Sequence, residues 1–323
     1  MAPSTRSPIR PLAAAPKVCR ELTNVRTRFA PSPSGYLHLG HAFSALETWK
    51  AAGREPENFI LRIEDIDTTR CRPEFEEAIY EDLSWLGLSW PEPVVRQSER
   101  FAEYATALEV LKDLGVVYPC FCTRKEIQEE IARSADAPHG PDGALYPGNC
   151  RGLSAIDREE KLNGGFPHAW RLDVGAAVAK IGPGPLTWFD RRLGKQDADV
   201  FLLGDVVIAR KDIGTSYHLA VVVDDAAQEI ELVTRGEDLL HASHVHRLLQ
   251  ALLDLPVPEW NHHRLINDDA GKRLAKRSGS QAIRAFRDQG MGPADVIEIL
   301  AATDHLPVGT AGIPGSVARS QRL

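Results

Sequence analysis

Val25 to Ala30 alternates apolar and polar side chains, which predicts a short buried strand. Pro31, Ser32, Pro33, Ser34 and Gly35 then break it into a loop. Beyond Leu37, the positions Leu39, Phe43, Leu46 and Trp49 recur at helical spacing, so a helix starts near His38 and His41 and closes at Gly53. Phe59 to Asp67 predicts a second buried strand that ends in the carboxylates Glu64, Asp65 and Asp67. Thr68 and Thr69 are expected to cap the next helix, Pro73 suits its first turn, and Phe75, Ile79, Leu83 and Leu86 form its inner face. Strand, helix, strand, helix is the opening of a parallel sheet with crossover helices. Such sheets bind ligands beyond the carboxyl ends of their strands, and Arg28 and Glu64 both fall near such ends.

Further along, a helix is predicted from about Ser98 to Gly115 and a short strand from Ala169 to Val174, inside a polar, Gly/Pro-rich stretch running from Leu153 to Gly194. Phe201 to Arg210 has a strongly apolar strand pattern, Ser216 to Asp225 follows as an apolar run, and Glu229 to Thr234 predicts a strand closed by Arg235. A helix starting near Leu239 carries His241, His244 and His246.

The chain has 323 residues, 43% of them hydrophobic and 26% charged, which is ordinary globular composition with two or three compact units expected. No apolar run is long enough to span a bilayer, and no membrane association is expected. The tail from Met1 to Leu22 is rich in Pro, Ala and Arg and lacks the apolar core of a secretory signal, so it reads as a disordered extension. A net charge of -7 argues against a broadly basic surface and leaves any nucleic-acid contact to local patches. Five cysteines, an odd and sparse set, do not make a secreted disulfide framework, and a reducing cytoplasm fits them; a monomer is expected.

Three features carry chemistry. His38 and His41 share the first turn of a helix, where free N–H groups and the helix dipole offer a seat for phosphate; as an isolated pair they would be no more than two surface histidines. Cys120-Phe-Cys122, joined by Cys150 across a loop, suits a metal that prefers thiolates, with His139, Asp142 and Tyr146 open as the fourth ligand. Gly271 to Ser278 is a basic run between glycines and, by itself, a solvated loop. Asp65 and Asp67 read as caps or salt bridges, and His241 with His244 as an exposed helical face without a metal.

The fourteen residues Arg28-Phe-Ala-Pro-Ser-Pro-Ser-Gly-Tyr-Leu-His-Leu-Gly-His41 resemble the ATP signature of class I aminoacyl-tRNA synthetases, in the form carried by the glutamyl and glutaminyl branch. The resemblance implies nucleotidyl transfer with Mg²⁺-bound ATP, His38 and His41 as catalytic residues, and Pro33, Ser34, Gly35 and Gly40 around the nucleotide. It places glutamate against Arg28, Phe29, Ala30, Pro31, Ser32 and Glu64, then against Tyr217 and Arg235 of the second half. Lys-Arg273-Leu-Ala275-Lys276-Arg-Ser278 is similar to the second class I signature, with Arg273 and Ala275 replacing the family's lysine and serine; Lys276 matches the lysine that neutralises the transferring triphosphate. Tyr146-Pro-Gly-Asn-Cys150-Arg, with Cys120 and Cys122, resembles the zinc module of glutamyl-queuosine tRNA(Asp) synthetases, which implies one structural zinc with Tyr146 as fourth ligand.

Only 45 residues follow Ser278, too few for the anticodon-reading domain of a glutamyl-tRNA synthetase. The implied fold is α/β, a Rossmann-like class I catalytic domain with an inserted zinc lobe. Residues 1–23 form a tail, 24–118 and 196–265 the two halves of the catalytic domain, 119–195 the insertion, and 266–323 the second signature with a short helical region. The expected activity is ATP-dependent activation of L-glutamate and its transfer to queuosine at the wobble position of tRNA(Asp). Its rivals are a short glutamyl-tRNA synthetase that charges the tRNA 3′ end, an idle tRNA-binding paralogue, and a small-molecule nucleotidyltransferase.

Overall fold

The computed structural model describes residues 24–133, 139–141, 143–266 and 282–302. The first half contains β1 (Thr27–Phe29), α1 (Leu39–Ala51), β2 (Phe59–Ile63), α2 (Pro73–Trp85), β3 (Val95–Arg96) and α3 (Phe101–Asp113). Then come β4 (Val117–Cys120), α4 (Arg124–Arg133), β5 (His139–Gly140), β6 (Gly143–Ala144), α5 (Ala155–Asn163), β7 (Ala169–Leu172) and α6 (Val174–Ile181). The rest is β8 (Thr187–Asp190), β9 (Gly194–Asp197), β10 (Val207–Ala209), α7 (Tyr217–Ala227), β11 (Leu232–Gly236), α8 (Ala242–Leu252), β12 (Glu259–His263), α9 (Ile283–Asp288) and α10 (Pro293–Ala302).

Seven strands form the main sheet in the order β3-β2-β1-β11-β12-β8-β9, parallel throughout except for the β8–β9 hairpin. A smaller antiparallel sheet runs β10-β7-β4, and β5 pairs with β6. β2 is buried at all five positions, as a central parallel strand covered on both faces should be. Its odd residues, Phe59, Leu61 and Ile63, pack with α1 and α2, whereas Ile60 joins Trp188, Val233 and Trp260 on the opposite face. Arg62 shares that second face and is wholly buried, so it must find charge there; it does, in α7.

Several predicted elements shift. Thr68 and Thr69 do not cap α2, whose N-cap is Arg72 with Pro73 in the first turn; the Thr69 hydroxyl donates instead to Asp67 at 2.6 Å. The apolar run from Phe201 to Arg210 yields only the three residues of β10, because Gly204 turns the chain at φ +60° and leaves Phe201 57% exposed. β11 starts three residues later than expected, after Glu229 turns the chain at positive φ, and it runs to Gly236, so Arg235 lies within the strand. The stretch assigned to the insertion also holds α5, α6 and β8, and β8 with β9 belongs to the main sheet: Trp188 and Asp190 face inward and Phe189 outward, a strand alternation too short to stand out beside Gly182-Pro183-Gly184-Pro185. α8 is not an exposed face. His244 and His246 are both buried: His244 packs on Trp188 of β8 and accepts the Asp199 N–H, and His246 packs on Tyr217 and His218 of α7.

The tail 1–23, Asp142 and the whole second-signature run, Lys276 included, lie outside the described residues. No helix among the described residues is long and apolar enough to cross a membrane.

Candidate functional site

The carboxyl ends of β1, β11 and β12 open into a cleft of about 380 Å³. Arg28, Phe29, Ala30, Pro31, Ser32, Glu64, Tyr217 and Arg235 all line it, together with His38, Gly40 and His41, although these residues come from opposite halves of the chain. Pro33, Ser34 and Gly35 lie outside its lining.

The histidines close the mouth of α1. Gly40 N–H donates to His38 Nδ1 at 3.1 Å, and His38 N–H donates to His41 Nδ1 at 3.1 Å, so the side chains satisfy N–H groups that the helix start leaves open. The two ring centroids lie 3.8 Å apart, with the planes tilted by 38°. Because each Nδ1 accepts, the neutral ring carries its proton on Nε2, which makes each imidazole an N–H donor on its other edge.

Below them sits a buried charge cluster. Arg28 donates through Nε to Asp225 Oδ1 at 3.1 Å and through a terminal nitrogen to the carbonyl of Thr234 at 3.2 Å. Arg62 donates to the same Asp225 oxygen at 2.8 Å and to Glu64 Oε1 at 3.2 Å. Burial alone would raise the Asp225 carboxyl, but Arg28 and Arg62 outweigh it and hold the group below its usual range. Burial wins at Glu64, which is raised despite Arg62 and Arg28. A cation placed beside Glu64 would reverse that shift, so this carboxylate is suited to an ammonium ligand.

Arg235 is 5% exposed and surrounded differently. It donates to Tyr217 Oη at 2.9 Å, Ser243 Oγ at 2.6 Å and His262 Nε2 at 3.2 Å, and it lies 3.4 Å from His246 Nδ1. None of these partners is a carboxylate. Burial pushes His262 down to about 4 and His246 well below the ordinary histidine range, so both rings are neutral around physiological pH. Arg235 is therefore a buried cation oriented by neutral acceptors, a state that costs desolvation until an anion arrives.

Asp65 and Asp67 take structural roles, as the sequence predicts. Asp65 accepts from the backbone and hydroxyl of Ser98, and Asp67 binds Thr69, Arg70 and Arg210. The Thr69 hydroxyl, with the two arginines, lowers Asp67 to about 2.

A second cleft, of about 820 Å³, adjoins the first across Tyr217 and reaches Cys120, Cys122 and Tyr146. Arg124, Arg171, Arg210 and Lys211 line it together with Asp205 and Asp212, and Arg210 pairs with Asp212. At its far end the sulfurs of Cys120, Cys122 and Cys150 lie within 4.8 Å of one another. Tyr146 Oη is 3.3 Å from Cys120 Sγ and 3.5 Å from Cys122 Sγ, and Cys122 Sγ is 3.4 Å from Cys150 Sγ. A tetrahedral zinc with bonds of about 2.3 Å to sulfur and about 2.0 Å to oxygen has ligand–ligand edges of roughly 3.5–3.8 Å, so the donor set fits such an ion with little movement. His139, the rival ligand, stands in β5 opposite Ala144. Among the described residues this is the one Cys/His/carboxylate grouping with metal-binding spacing.

Sequence reasoning missed Asp190, Asp225, Ser243, His246 and His262. Asp225 left a signal, two consecutive carboxylates closing an apolar run; the others are polar residues whose partners only the tertiary fold supplies.

The family described as tRNA synthetases class I (E and Q), catalytic domain, matches residues 24–308. A glutamyl-Q tRNA(Asp) synthetase of Rhodobacter capsulatus is 46% identical over 281 residues, which cover 85% of this chain and 99% of that one. A glutamate–tRNA ligase of Aquifex aeolicus is 37% identical over 88% of this chain, but the match spans only 58% of the ligase. Among solved structures, a glutamate tRNA ligase from Elizabethkingia meningosepticum, in complex with its amino acid, superimposes with a TM-score of 0.71 at 28% identity; the chain spans 63% of its length.

Proposed function

Given that the chain belongs to the class I tRNA synthetase family of the glutamate and glutamine branch, we propose that it activates L-glutamate with ATP and transfers the glutamyl group to queuosine in tRNA(Asp). The observation that carries the amino-acid half is Arg235: a buried guanidinium held by neutral groups, in one cleft with Arg28 and Glu64. A dicarboxylic amino acid brings two anions and an ammonium, and this cleft offers two guanidinium groups and a carboxylate to meet them.

Arg28 reads the side-chain carboxylate, Glu64 holds the α-ammonium, and Arg235 with Tyr217 makes the second carboxylate contact. The α-carboxylate attacks the α-phosphorus of ATP, the bond to the bridging oxygen breaks, and pyrophosphate leaves with Mg²⁺. No covalent bond to the protein forms. His38 and His41 donate N–H groups to the triphosphate at the start of α1, and Lys276 neutralises charge on the departing phosphates. These are positioning and electrostatic tasks, which suit a rigid helix mouth. In the second step a hydroxyl of the queuosine ring attacks the adenylate carbonyl and AMP leaves. The cleft beyond Tyr217, with more cationic than anionic side chains in its lining, is where the anticodon loop bearing queuosine enters, consistent with its proximity to the amino-acid cleft. Cys120, Cys122, Tyr146 and Cys150 would hold a structural zinc that stiffens the wall of this second cleft; when bound, it supplies cross-linking and no chemistry. Family resemblance at 46% identity over nearly the whole of the Rhodobacter protein supports queuosine-bearing tRNA(Asp) as the acceptor.

Pyrophosphate exchange into ATP tests the first half. With tRNA(Asp) supplied, exchange is expected to depend on L-glutamate and to prefer it to glutamine by about 100-fold or more, because a buried, charge-matched site rejects the neutral amide. Exchange that ignores glutamate would overturn the assignment.

A further inference from the structure

Behind Arg235, out of reach of the cleft, lies a line of buried polar groups that the proposed reaction does not use. Asp190 closes β8 and is completely buried. Its Oδ1 accepts the backbone N–H groups of Arg192 and Leu193, both at 2.9 Å. Its Oδ2 accepts the backbone N–H of His262 at 3.1 Å and stands 2.7 Å from His262 Nδ1. With both oxygens occupied as acceptors, Asp190 can only receive a proton from the ring. His262 Nδ1 is therefore the protonated nitrogen, and Nε2 presents a lone pair. That lone pair faces Arg235 Nε at 3.2 Å. Ser243 Oγ completes the corner, 3.3 Å from His262 Nε2 and 2.6 Å from an Arg235 terminal nitrogen.

Aspartate, histidine and serine in this order have the outline of a nucleophilic triad, but the serine is fully buried and accepts from Arg235, so it is not poised for attack. We propose that Asp190 and His262 are positioning residues for Arg235: the aspartate sets the imidazole tautomer, and the imidazole aims the guanidinium without neutralising it. The placement explains why the carboxylate is one ring removed from the arginine. A carboxylate in direct contact would offset part of the charge that a ligand carboxylate needs, as Asp225 does at Arg28, whereas a neutral acceptor fixes the geometry and leaves the full charge available.

This inference rests on the reading of the cleft as a glutamate site, and exchange kinetics on the full chain separate the two. In D190N the amide cannot accept at both oxygens. It favours the other tautomer, which turns an N–H of His262 toward the Nε–H of Arg235. D190N and H262L are expected to raise the KM for glutamate about 10- to 100-fold, the range for a lost hydrogen bond to a charged group, with the KM for ATP within about threefold of the original. H262Q, whose carbonyl oxygen can accept from Arg235, is expected to recover most of the loss. The contrast between D190N and H262Q decides the matter even if H262L does not fold. Unchanged glutamate KM in D190N, equal rises in both KM values, or an H262Q as impaired as H262L would overturn the positioning role and leave the glutamate assignment standing. Wild-type exchange that does not depend on glutamate would overturn that assignment and this inference with it.

Discussion

Arg28→Ala is expected to lower kcat/KM for glutamate in pyrophosphate exchange by about 10³-fold and to erase the preference for glutamate over glutamine. The magnitude follows from what the side chain does in the fold. Arg28 is 4% exposed and, through Nε and a terminal nitrogen, holds Asp225 and the Thr234 carbonyl in the middle of β11. Truncating one member of a buried, hydrogen-bonded charge pair costs about 2–5 kcal/mol, or roughly 30- to several-thousand-fold in binding. Two consequences add to the lost ligand contact. Asp225 keeps Arg62 as its partner, so the core survives, but its negative charge then faces the cleft with one guanidinium in place of two. Glu64 loses one of the two arginines that oppose its burial-driven rise, so its affinity for an ammonium falls as well. Arg28→Lys should recover little, since an ammonium cannot make the forked contact. Equal activity of the alanine variant on glutamate would contradict the assignment of Arg28.

The second large effect concerns the cysteine cluster. The purified chain is expected to carry one zinc, and Cys122→Ala to carry almost none. Structural zinc contributes on the order of 10 kcal/mol to the segment it closes, so the metal-free variant should lose the ordering of the segments that carry Cys120, Cys122 and Cys150. Limited proteolysis between β4 and α5 would report that loss, while the main sheet, which shares none of these residues, should stay protected. Tyr146→Phe is the finer probe. It removes only the oxygen that lies 3.3 Å and 3.5 Å from two of the sulfurs, and is expected to release zinc to a chelator 10- to 100-fold more readily. A wild-type chain without metal would contradict the zinc assignment. Retention by Tyr146→Phe equal to the wild type would remove Tyr146 from the ligand set and return the fourth position to its rival, His139.

Much of the site is legible because parallel sheets gather distant residues at one edge. Arg28, Glu64 and Arg235 each sit near the end of a buried apolar run, and three such ends in adjacent strands share one cleft by necessity. His38 and His41 are legible as a pair because a helix start imposes its own spacing. What is not legible is the support behind these residues. Asp190, Ser243 and His262 come from β8, α8 and β12, and each has an unremarkable sequence neighbourhood. Their roles depend on strand β8 lying beside β12, a pairing that the short, proline-flanked Thr187–Asp190 segment does not advertise. Phe201 shows the opposite failure: it heads an apolar run but lies ahead of β10, the strand that run forms, and stays exposed. Hydrophobic patterning reports which residues turn inward, but a polar residue that turns inward reads as surface until its partner is known. His244 and His246 are instances: helical spacing places them correctly on α8, and only the packing of β8 on the one and α7 on the other shows that they are inside.

The central claim is a glutamyl transfer to a modified anticodon base, and the direct measurement is transfer of labelled glutamate, with ATP, to three substrates in parallel: queuosine-containing tRNA(Asp), queuosine-free tRNA(Asp) and tRNA(Glu). Label is expected on the queuosine-containing tRNA(Asp) alone, retained after the 3′ adenosine is removed. Label on tRNA(Glu) that disappears with that adenosine, or no label on any of the three, would contradict it.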